Sequence, residues 1–91
     1  MKEELQKLID NIKSDLTAIP IERDILIKNI NVLYSFINKN SLWVQSFQGN
    51  YTNRVLSKIM ESPENNPWWS LEQIEILHEG ILDIIKYRGL K

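Results

Sequence analysis

The stretch LWVQSFQGNYTNRVLSKIM, residues 42–60, decides whether this chain is entirely helical or carries a β-hairpin. Val44, Phe47, Tyr51, Val55 and Ile59 step by three or four residues, the spacing of one face of an α-helix that runs through Gly49. The same residues admit a second reading, with Gly49 and Asn50 at the centre of a type II′ turn flanked by the β-formers Trp43, Val44, Phe47, Tyr51, Thr52 and Val55. Helix, kinked or interrupted at Gly49, is the favoured reading, and a short hairpin around Gly49 is the alternative. In both, residues 54–60 are helical.

Upstream the pattern is unambiguous. Leu5, Leu8, Ile9, Ile12, Leu16 and Ile19 recur at helical spacing among Lys, Glu, Asp, Gln and Asn, so a first amphipathic helix is expected to end near Ala18. Pro20 disfavours the α conformation at Ile19 and suits the first turn of a second helix, whose Glu22 and Asp24 would lie near its positive end. Between Ile21 and Asn38 apolar residues cover most of the circumference, which predicts a central helix packed on more than one side. Residues 38–41 form a polar break, with Asn40 or Ser41 suited to cap the segment after it.

Downstream, residues 62–67 hold two prolines and two asparagines and read as a loop. Ser70 and Gln73 then form a capping box, and Trp69 can pack on Ile74 as a hydrophobic staple, so a last helix starts at Leu71. Leu71, Ile74, Leu77, Ile81, Leu82, Ile84 and Ile85 are expected to face inward. Lys86 and Arg88 complement the negative end, Gly89 can terminate the helix in the left-handed conformation, and Gly80 suggests close approach of another helix or an aromatic. The whole is expected to be all-α, an antiparallel four-helix bundle forming one domain over residues 1–91.

Composition bounds function. Ninety-one residues with eleven Lys and Arg against twelve Asp and Glu leave a net charge of −1, without the basic excess that phosphate neutralisation requires, so nucleic acid is not an expected partner. There is no cysteine, hence no disulfide or thiolate metal site. No apolar run approaches the roughly 20 residues of a membrane span, and the opening Met1-Lys2-Glu3-Glu4 lacks a signal-peptide core, so a cytoplasmic location is expected.

Catalytic constellations are missing. Glu75 and His78 have the Glu-x-x-His spacing of a bundle metal ligand pair, but a second pair would need a second histidine, and His78 is the only one. Glu72, Glu75 and Glu79 read as a solvated helix face rather than a buried acid, and there is neither a Gly-x-Ser-x-Gly elbow nor a Gly-rich phosphate loop. A non-enzymatic protein with no cofactor and no metal is expected. Trp68 and Trp69 are the more informative feature, either as anchors on a loop or as side chains closing the open end of a bundle, while Trp43 reads as core. Lys86, Arg88 and Lys91 suit a helix dipole, an acidic partner or, at most peripherally, a membrane surface.

Length, lack of cysteine and helix layout resemble the small immunity proteins of bacteriocin producers, especially the pediocin-like group. The likeness is greatest from Arg54 to Ile85, where Arg54-Val55-Leu56-Ser57-Lys58-Ile59 leads into a polar loop and Ser70-Leu71-Glu72-Gln73 opens a helix. Pro67-Trp68-Trp69 departs from what is associated with that family. The resemblance implies a cytoplasmic four-helix bundle that recognises a sugar-transporter permease occupied by the bacteriocin and prevents a lethal leak. It also places specificity in the C-terminal half, here Trp68, Trp69, Lys86, Tyr87 and Arg88. Two other readings stand beside it: a phage or mobile-element inhibitor of a host defence complex, and a structural subunit that dimerises through its apolar second helix. A monomer or weak homodimer is expected.

Overall fold

The periodic segments fold as four helices, α1 (Lys2–Thr17), α2 (Arg23–Lys39), α3 (Phe47–Glu61) and α4 (Leu71–Tyr87), in a computed structural model that describes residues 1–61 and 71–91. Each contributes one apolar stripe: Leu5, Ile9 and Ile12 from α1, Leu26, Ile30, Leu33 and Ile37 from α2, Leu56 and Ile59 from α3, and Ile74, Leu77, Ile81 and Ile84 from α4. α1 packs on α2 and α4, and α3 packs on the same two, so the helices close a ring around a single core. The short connections over 18–22 and 40–46 make successive helices antiparallel, and side-chain bonds tie them together. Asn29 Nδ2 donates to Asp15 Oδ2 at 2.5 Å between α1 and α2, and the Tyr34 and Ser57 hydroxyls bond at 3.0 Å between α2 and α3. The molecule is an all-α four-helix bundle, and among the described residues no helix is long and apolar enough to cross a membrane.

The structure corrects the boundaries around 42–60. Residues 48–51 are helical, so no hairpin forms at Gly49, and the helix neither kinks there nor reaches back to Leu42. It begins at Phe47, with Gly49 inside its first turn. The physical reason is Ser46, whose Oγ accepts the Gly49 N–H at 2.9 Å while its carbonyl accepts the Asn50 N–H at 2.8 Å. That is an N-cap, placed later than Asn40 or Ser41. Leu42 and Val44 still reach the core from the connection.

Ser41 has a different task. Its φ of 53° is left-handed; its N–H donates to Asn38 O at 3.2 Å and the Leu42 N–H to Ile37 O at 3.0 Å, which together close α2 in a Schellman motif. α4 ends in the same way, with Gly89 at φ 61°, its N–H on Lys86 O and the Leu90 N–H on Ile85 O at 3.0 Å. A left-handed non-glycine residue costs about 1–2 kcal/mol. Ser41→Gly is therefore expected to raise stability by about 0.5–1 kcal/mol, read as a higher denaturation midpoint; an unchanged or lowered midpoint would show that the left-handed turn costs Ser41 nothing.

Three further expectations are revised. Pro20 lies in the α1–α2 connection, after a cis Ile19–Pro20 peptide, because Glu22 is still extended and helical dihedrals begin at Arg23. α2 buries one stripe rather than its whole circumference: among the described residues it packs mainly on α1 and α3, and Ile25 and Val32 are exposed. Leu82, expected inside, is also exposed, because the core-facing stripe of α4 runs through Leu77, Ile81 and Ile84.

Candidate functional site

The C-terminal end of α4 meets the α2–α3 connection, and side chains from both build one end of the bundle. Lys86 and Tyr87 are exposed, with the Lys86 Nζ 5.5 Å from the Tyr87 ring centroid, a cation–π arrangement. Tyr87 is 62% exposed, far more than its packing on a small bundle requires. With Val44, Gln45 and Arg88 it lines an open depression of about 330 Å³.

Arg88 is turned onto the protein's own backbone. Its Nε donates to Leu42 O at 3.3 Å and its Nη2 donates to Trp43 O. The guanidinium fork thus satisfies two carbonyls that α2 and α3 leave outside their helices, and fastens the end of α4 to the connection. Of the residues named from the resemblance, Lys86 and Tyr87 are displayed to solvent, and Arg88 frames the depression while holding it together. Trp68 and Trp69 lie outside the described residues, as do the Ser70–Gln73 capping box and the Trp69 staple.

The connection is held rigid from its other side as well. Trp43, read as core, is half-buried: its ring lies 6.0 Å from that of Tyr34 and its Nε1 donates to Asn38 Oδ1 at 2.6 Å. Ser46, besides capping α3, donates its hydroxyl to Asp83 Oδ2 on α4 at 2.7 Å. The Asp83 carboxylate consequently sits at the positive end of α3, where the helix dipole favours it. A methyl at Gly49 would lie 2.8 Å from Ser46 Oγ and 2.9 Å from Val44 Cγ2, so only glycine lets the cap and the connection fold over this turn.

At Gly80, α4 comes close to α3. A Cβ there would stand 2.0 Å from Thr52 Oγ1 and 2.8 Å from the Gln48 carbonyl oxygen. The mid-helix glycine expected to admit a neighbouring helix does so at Thr52, whose hydroxyl is buried with no hydrogen-bond partner among the described residues. His78 is half-buried beside α1, where its Nδ1 accepts from Lys13 Nζ. Among the described residues no group of three or more acidic or histidine side chains is placed to hold a metal ion.

The residue that sequence reasoning missed is Phe47. Counted there only as part of one helical face, it is 79% exposed, because the first turn of α3 buries Gly49 and turns Phe47 away from the core. The signal was the Ser46-Phe47-Gln48-Gly49 pattern, in which a cap residue directly precedes the aromatic. Comparison with protein-family models, curated proteins and solved structures gives no match.

Proposed function

We propose that this chain is a non-enzymatic protective binding protein, a bacteriocin immunity protein that recognises the bacteriocin-occupied permease from the cytoplasmic side. The observation that carries the reading is Tyr87, a large amphipathic ring held out from the end of α4 beside Lys86, on a platform that Arg88 locks to the α2–α3 connection. Rigid aromatic side chains on a fixed frame lose little entropy on docking, which is why they dominate binding energy at protein interfaces. The all-α bundle that the resemblance implies, and the placement of Lys86 and Tyr87 in its C-terminal half, support the same reading.

Co-purification tests it. The chain is expected to travel with the permease only when bacteriocin is added. Tyr87→Ala is expected to weaken that capture at least tenfold while leaving the thermal midpoint within a few degrees of the parent. Capture that ignores the bacteriocin, or that Tyr87→Ala leaves intact, would contradict the assignment.

A further inference from the structure

No Asp or Glu occurs between Asp24 and Glu61, an interval that takes in nearly all of α2 and α3, whereas Lys28, Lys39, Arg54 and Lys58 fall inside it. Because α2 packs on α3, these two helices share one side of the bundle, and their only carboxylates are Asp24 in the first turn of α2 and Glu61 at the end of α3. A chain with a net charge of −1 thus carries, on α2 and α3 together, five cations against two anions.

The polar groups on that side are arranged with a bias. Asn31 Oδ1 accepts from Ser35 Oγ at 3.1 Å, Asn38 Oδ1 from Trp43 Nε1 at 2.6 Å, and Asn53 Oδ1 from Ser57 Oγ at 3.2 Å. Each bond takes the amide oxygen and leaves the two Nδ2 hydrogens outside it. Three carboxamides therefore each make an accepting bond internally and no donating bond among the described residues, on the side that also carries the donors of Arg54. Along α3, Phe47, Asn50 and Arg54 step by three and four residues and are all exposed, which sets an aromatic anchor in line with the cation.

We propose that the α2–α3 side is a second docking surface, distinct from the C-terminal depression, whose occupant is an acidic protein surface. A face rich in donors, on which cations outnumber carboxylates, is complementary to carboxylates and backbone carbonyls. Arg54 and Phe47 supply the residue types that dominate interface energetics. Nucleic acid is the poorer fit, since the cations are few and the acidic α1 and α4 flank them. A bilayer is poorer too, since amides outnumber the one exposed aromatic on this side.

The probe is poly-L-glutamate, titrated at low salt into the isotopically labelled full chain. The Nδ2 groups of Asn31, Asn38 and Asn53 are expected to show the largest shifts. Arg54→Glu is expected to weaken binding at least fivefold and Arg54→Gln at least twofold, while Lys7→Glu, the same charge reversal on exposed α1, changes it less than twofold. Shifts concentrated outside α2 and α3, or equal weakening by Arg54→Glu and Lys7→Glu, would overturn the surface. An oligothymidylate or phosphatidylglycerol vesicles bound more tightly on the same residues would overturn the occupant, in favour of nucleic acid or a membrane. No permease or bacteriocin is present, so this titration and the immunity reading fail independently.

Discussion

Replacing Gly80 by alanine is expected to destabilise the bundle by about 2–3 kcal/mol, near the upper range for overpacking a well-packed core. Two effects oppose each other. Alanine is the better helix former, by about 1 kcal/mol at an interior position. The added methyl, however, would stand 2.0 Å from Thr52 Oγ1, 2.9 Å from Thr52 Cβ and 2.8 Å from the Gln48 carbonyl oxygen. The last two belong to the base of a β-branched side chain and to helix backbone, so no rotamer change relieves them and α3 must move off α4. For a domain this small a loss of that size lowers the thermal midpoint by roughly 10–20 °C, a change that a circular dichroism melt resolves. Thr52→Ala removes the nearest atom and a buried hydroxyl without a described partner, so the Thr52→Ala, Gly80→Ala double variant is expected to recover about 1 kcal/mol relative to the sum of the singles. Strict additivity, or a Gly80→Ala variant as stable as the parent, would mean that the two helices do not meet at this point.

Ser46→Ala is the second large effect, expected at about 1.5–2 kcal/mol, the high end of the range for a lost N-cap. The value is high because one hydroxyl serves two helices. It accepts the Gly49 N–H at 2.9 Å and donates to Asp83 Oδ2 at 2.7 Å. Its removal leaves a half-buried carboxylate without its charge-assisted donor as well as an orphan amide at the start of α3. Chemical denaturation is expected to show a lower midpoint with an unchanged slope, and Asp83→Ala should be partly non-additive with it. A midpoint within about 0.3 kcal/mol of the parent would place the start of α3 elsewhere.

These two sites also show where reading the sequence stopped. The stripes of α1 and α4 were legible because each repeats over several turns. Leu5-Ile9-Ile12 and Ile74-Leu77-Ile81-Ile84 can be picked out by spacing alone, and Gly89 by its place after the last periodic residue. The start of α3 was not, because Asn40, Ser41 and Ser46 are all residue types that cap helices, and the bond of Ser46 to Asp83 lies 37 residues away. α2 misled for a related reason. Ile25 and Val32 extend its apolar arc, but how much of an arc is covered depends on how many helices stand beside it, and among the described residues α2 packs mainly on two. At the candidate site, the resemblance pointed to Lys86, Tyr87 and Arg88 together, and the residue types alone only to the basic Lys86, Arg88 and Lys91. Only the carbonyls of Leu42 and Trp43, brought in by the fold, separate the arginine that builds the site from the two side chains it displays.

The proposed function rests on the same end of the bundle. Arg88 and Ser46 fasten α4, the connection and α3 together, and Tyr87 stands on the result. The most direct test of that account is survival. The chain should be expressed in a bacteriocin-sensitive cell and challenged with a panel of bacteriocins, with Tyr87→Ala expressed beside it at equal abundance. The account predicts protection against at least one bacteriocin by the parent and its loss in the variant. Death across the whole panel, with the parent folded and abundant, would contradict it.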